Sequence, residues 1–136
     1  MKTTIYCIII LTIIVGCSKS SSTTSVAMSA KINDTPWLAN QIWTTSEITA
    51  PVETTIVGKD TLTGRTIILL LYNYNNTIGN FKIDGIKAMA GLKGTAAASG
   101  QITVYTISDG YIMGTFNFIT VDSNNISAGT FTAKLP

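Results

Sequence analysis

Turn-forming residues interrupt this chain at short intervals over residues 27–136: Asn33-Asp34, then Asn73, Asn75 and Asn76 around Tyr74, then Asp109-Gly110, then Asp122-Ser123-Asn124-Asn125. The segments between them are rich in threonine, isoleucine and aromatic residues, which suit a pleated, half-buried surface. Strands joined by such short turns pair as antiparallel neighbours, because a parallel pair needs a crossover of a dozen or more residues, usually helical. The pattern predicts strands over residues 28–33, 38–45, 54–59, 65–72, 79–83, 100–108, 111–121 and 126–135, about eight in all. Only residues 85–92 read as helix-like. The expected fold is all-β, a single antiparallel β-sandwich or meander barrel.

Alternation predicts the faces. In the last strand Phe131, Ala133 and Leu135 share the dry side, and Thr130, Thr132 and Lys134 the wet one. Ile102 and Val104 lie opposite Tyr105 and Ile107, without naming the buried side. Residues 67–71 are apolar on both faces, so this strand is expected to be central and covered on both sides. Gly114-Thr115-Phe116 is echoed by Gly129-Thr130-Phe131 and more loosely by Gly79-Asn80-Phe81. Glycine beside an aromatic ring at strand spacing points to close cross-strand packing rather than to a repeated ligand contact.

The start of the chain differs from this body. Lys2 precedes an apolar run over residues 5–15, which suits a signal-peptide core and is too short to span a bilayer. The run ends in Ile14, Val15, Gly16 and Cys17, a spelling that resembles the bacterial lipobox. That resemblance implies cleavage after residue 16 and acylation of Cys17, so the partner there is a lipid bilayer, with palmitate among the acyl groups. Several acyl chains anchor durably where a single one holds only marginally. Cys7 then leaves with the signal and Cys17 is consumed by lipid, so the mature chain keeps no free thiol. Residues 17–26 form the lipidated cysteine and a Ser/Thr-rich tether, and residues 27–136 a single β domain. The tether lacks acidic residues after the cysteine, which favours the periplasmic face of the outer membrane over the cell surface.

Composition narrows the chemistry. Charged residues make up 12% of the chain and the net charge is only +2, far from the dense positive surface that binds nucleic acid. Histidine is absent, which removes the commonest general base and the commonest neutral metal ligand. The seven carboxylates are scattered and fall mostly in or beside expected turns, so no glycosidase-like pair is evident. The 122–125 run has oxygen donors but one charge, too few for a calcium site. The expectation is a protein without catalytic residues, metal or cofactor.

Aromatic rings remain as candidate ligand contacts. Trp37, directly after Pro36, reads as a core plug, whereas Trp43 fits core and surface about equally. Tyr74 stands alone among asparagines and is the ring expected to be most exposed. Trp43 and Tyr74 are therefore the candidate ligand-binding residues, suited to stacking on a sugar ring.

The lipobox followed by Met28-Ser29-Ala30-Lys31-Ile32-Asn33-Asp34-Thr35-Pro36-Trp37 resembles the opening of an uncharacterised family of small Bacteroidetes-type lipoproteins. Ser99 to Val104, Ile112 to Phe118, and Ser127 to Phe131 are similar to that family's strand-and-glycine pattern, while residues 51–93 match least. The resemblance implies an antiparallel β domain on a lipid tether and carries no catalytic residues. Two functions fit: a noncatalytic module binding a glycan, peptide or small apolar ligand, or a structural or accessory subunit of a cell-envelope assembly.

Overall fold

The computed structural model describes residues 25–47, 53–72 and 76–136. Ten strands, rather than about eight, follow one another: β1 (Ala27–Ile32), β2 (Thr35–Leu38), β3 (Gln41–Glu47), β4 (Glu53–Lys59), β5 (Thr66–Tyr72), β6 (Gly79–Lys82), β7 (Ala88–Leu92), β8 (Thr95–Ser108), β9 (Tyr111–Thr120) and β10 (Asn125–Lys134). They form a curled antiparallel sheet in the order β2-β1-β10-β9-β8-β7-β5-β4-β3, with β6 beside β8. One end of the path, β3, curls back to β10, where the Thr44 hydroxyl donates to the Lys134 carbonyl. The all-β, barrel-like sandwich expected from the turn pattern is therefore the fold.

Local chemistry explains the connections. Asn33-Asp34, Lys93-Gly94 and Asp109-Gly110 all adopt positive φ at both positions, the two-residue hairpin geometry that matches strand twist. The curl is carried by β8, whose fourteen residues pair with β7 at their start, with β6 in the middle and with β9 throughout. Register shifts between Ala97 and Ser99, and Gly100 follows at φ 149°. A Cβ on Gly100 would lie 2.3 Å from the Asn117 carbonyl oxygen, so only glycine fits where β8 bends against β9.

A second bulge, between Val104 and Thr106, corrects the expected faces of this strand. Ile102 and Val104 are buried and Tyr105 is exposed, but Ile107 does not stay with Tyr105. The extra residue returns Ile107 to the inner side, where it packs against the core opposite Ile112. The helix-like segment 85–92 is also corrected, since residues 88–92 are β7, paired with β5 from Ile67↔Leu92 to Leu71↔Ala88. Ala88, Ala90 and Leu92 alternate inward, and this pairing overrides the helical preference of alanine.

The core lies between the two halves of the curl. Ile56, Ile67, Leu69 and Leu71 from β4 and β5 face Met28, Ile102, Ile112, Phe116, Ile126 and Phe131 from the other half. Phe131 and Ala133 are buried and Thr130 and Lys134 exposed, as the alternation in β10 predicts. Trp37 is 5% exposed, reaching across to β4, where its ring lies 3.2 Å from an added Cβ position on Gly58. Its indole N–H has no partner among the described residues.

The Gly-Thr-Phe echo is a packing device. Gly114 stands opposite Phe131 in the β9–β10 ladder, and Gly129 opposite Phe116. A Cβ on Gly114 would lie 2.5 Å from the Phe131 ring, and one on Gly129 2.6 Å from the Phe116 ring. Each glycine thus makes room for the other copy's phenylalanine, leaving the two ring centroids 6.4 Å apart, within the range of favourable aromatic pairs.

Candidate functional site

The outer face of the β3-β4-β5-β7 half breaks the rule that strands show polar residues to water. Inward-facing Ile67, Leu69 and Leu71 of β5 are fully buried, but Ile68 is 38% exposed and Leu70 half-buried. The strand is central, as its sequence predicts, yet it is covered on one side only among the described residues. This corrects the expectation of cover on both faces. An apolar run with one open face is a feature that structural packing alone does not explain.

Register shows what surrounds it. Trp43 stands opposite Val57, Val57 opposite Ile68, Ile68 opposite Gly91, and Gly91 opposite Ala96, giving one cross-strand row from β3 to β8. The adjacent row runs Thr45, Thr55, Leu70 and Met89. Side chains directly opposite in a sheet touch, so the two rows form a continuous surface, apolar apart from two threonines. Val57 is 7% exposed although it lies on this outer side, between Trp43 and Ile68. At the β7 end the surface dips into a groove of about 210 Å³ lined by Ile68, Leu70, Met89, Gly91 and Ala96. Gly91 is part of the lining, and a Cβ there would stand 3.1 Å from the Thr95 carbonyl oxygen. The Tyr72 hydroxyl donates to the Met89 sulfur at 2.8 Å, fixing a flexible side chain at the rim.

Trp43 is 43% exposed at the far end of the row, so of the two candidate rings it is the one placed on this surface. Tyr74 and Cys17 lie outside the described residues. Leu70, Met89 and Gly91 were not singled out from sequence. Their signal was the double-faced apolar run of β5, and in Met89's case it was obscured by the helix-like reading of its segment. Because Trp37 is buried and Trp43 exposed, acrylamide is expected to quench one tryptophan population readily and leave the other protected. A single, fully protected population would contradict this placement of Trp43.

Three of the carboxylates, Asp60, Asp84 and Asp122, are engaged in turns. The Thr63 hydroxyl and the Leu62 amide hold Asp60 below the usual carboxylate range. The amides of Lys87 and Ile86 do the same for Asp84, and the Thr120 hydroxyl and Asn124 amide for Asp122. None of these groups lines the apolar groove. Among the described residues no three Asp, Glu, His or Cys side chains come together to hold a metal. Comparison of the chain with protein-family models, curated proteins and solved structures finds no match.

Proposed function

We propose that the chain is a lipoprotein whose β domain, anchored in the outer membrane through acylated Cys17 and held on the periplasmic side, is a noncatalytic ligand-binding module. The observation that carries the binding reading is the open apolar surface from Trp43 to Met89. Its groove is lined almost wholly by carbon, and the aromatic rings of Trp43 and Tyr72 lie at its edges. That chemistry favours a small apolar ligand, or the apolar side chains of a peptide, over a glycan, which needs several hydrogen-bonding groups around a stacked ring. Of the glycan, peptide and apolar ligands open to the sequence, the last two fit better.

The test is a fluorescence titration of residues 18–136, which retain every core residue from Met28 to Ala133. Octanol is expected to shift the Trp43 emission to the blue in a saturable manner, and cellobiose to leave it unchanged. Leu70→Asp and Met89→Asp place a charge on the groove and should abolish the octanol response without unfolding the domain, because both side chains lie on the outer face. A response that is linear with octanol, or that survives both substitutions, would refute the site.

A second reading, an accessory subunit of an envelope assembly, draws on the same surface. Two adjacent cross-strand rows, one over five strands and one over four, match the face that another sheet would cover. In that case the two Asp variants lose a partner protein in cross-linking and the small probe does not saturate.

A further inference from the structure

The turns at one end of the barrel enclose a cavity unlike the apolar groove. The β1–β2, β7–β8 and β9–β10 turns and the β4–β5 loop converge around a space of about 310 Å³ lined by Asn33, Arg65, Lys93, Thr95, Asp122 and Asn124, among others. That size falls at the lower end of the roughly 300–1,000 Å³ of small-molecule sites, which often occupy the mouths of β-barrels.

One wall is already saturated with hydrogen bonds. The Asn33 side-chain amide donates to the Asn124 side-chain oxygen Oδ1 at 2.9 Å, and the Asn33 side-chain oxygen accepts the Asn125 backbone amide at 2.8 Å. The Asn124 side-chain amide in turn donates to Oδ1 of Asp122 at 2.9 Å, and the Thr120 hydroxyl donates to the same oxygen. The wall is held before any ligand arrives, with the exposed Asp122 carboxylate at its edge. The opposite wall is unspent. Neither the Arg65 guanidinium nor the Lys93 ammonium has a hydrogen bond or ion pair among the described residues, although Arg65 pulls on Asp60 through space. Arg65 and Lys93 outnumber Asp122 among the groups that line the space, and Asp60 offsets part of the Arg65 charge, so a monoanion suits the mouth better than a dianion.

We propose that this mouth binds a hydroxylated monocarboxylate of the uronic-acid type, its carboxylate on Arg65 and Lys93 and a hydroxyl donating to Asp122. The polypeptide direction makes the mouth reachable from a membrane anchor. The chain enters the domain at Ala27, beside Thr132, and β1 runs from there to the Asn33-Asp34 turn at the mouth. The tether therefore joins the domain at the opposite end. This site is independent of the apolar surface, which lies on a side of the barrel, and uses none of its lining residues except Thr95 at the margin.

Calorimetric titration of the full chain in neutral detergent with glucuronate, glucose and inorganic phosphate tests the assignment. Glucuronate should bind saturably, with affinity falling as salt rises, and glucose and phosphate more weakly. Arg65→Gln and Lys93→Gln should each weaken glucuronate by roughly tenfold or more, the loss of one charge-assisted hydrogen bond, with unchanged circular dichroism. In Asp122→Asn the amide oxygen still accepts from Thr120 and Asn124, and the NH2 donates to a ligand hydroxyl in place of accepting from it, so glucuronate binding should be retained. Absence of glucuronate binding, equal binding of glucose, tighter binding of phosphate, or binding indifferent to both cation substitutions would each overturn the proposal.

Discussion

Gly114→Ala is expected to lower the stability of the domain by about 1–3 kcal/mol, the usual cost of forcing extra carbon into a packed interior, out of a total that for domains of this size is roughly 5–15 kcal/mol. The reason is space and not backbone conformation. A Cβ on Gly114 would stand 2.2 Å from the Thr103 carbonyl oxygen and 2.5 Å from the Phe131 ring, so both the β8 backbone and a core ring would have to move. Gly129→Ala is the mirror case, meeting the Phe116 carbonyl oxygen at 2.5 Å and its ring at 2.6 Å. Thr115, exposed between the same two strands, is the control, and its replacement by alanine should stay within about 0.5 kcal/mol. Urea unfolding of residues 18–136 reads all three as midpoint shifts at constant slope. Equal midpoints for Gly114→Ala and Thr115→Ala would mean that the reciprocal glycine–phenylalanine packing does not set the spacing of β9 and β10.

Cys17→Ala is expected to abolish acylation completely and to leave the precursor uncut at residue 16. The proposed thioether at this position needs the cysteine sulfur, which alanine lacks. Metabolic labelling with palmitate and intact-mass measurement follow the two steps: the variant should take up no label and should keep the mass of the leader. The β domain should fold as before, since the buried residues from Met28 to Ala133 owe nothing to the lipid. Normal labelling of the variant would overturn the lipid anchor, and with it the membrane partner.

Much of the architecture is written in turn chemistry and alternation. Asn33-Asp34 and Asp109-Gly110 mark hairpins because their residues tolerate positive φ, and both adopt it. Phe131 and Ala133 alternate inward because one face of β10 meets the core. What stayed hidden depends on neighbours distant in sequence. Residues 88–92 are a strand because β5 offers them a hydrogen-bonding edge, which no local preference of Ala88 or Met89 reveals. The bulge at Tyr105 slips a register that strict alternation would keep. The Gly-Thr-Phe echo was legible as packing, but only the pairing of Gly114 with Phe131 shows that the two copies fill each other's space.

The site was legible in part. Trp43 could be named from its residue type, and the run 67–71 announced that β5 carries apolar residues on both sides. Sequence supplied no reason to leave Ile68 and Leu70 uncovered, because cover depends on what folds over the outer face. Arg65 and Lys93 are far apart in the chain and look like solvated charges until the loops bring them to one mouth.

Amide chemical-shift mapping of residues 18–136 titrated with octanol shows whether the proposed outer face from Trp43 to Met89 receives an apolar ligand. Saturable shifts confined to β3, β4, β5 and β7 are expected, centred on the amides of Ile68, Leu70 and Met89, with the Trp43 indole N–H moving in step. Shifts spread evenly over the surface, or centred on the mouth at Lys93 and Asn124, would contradict that proposal.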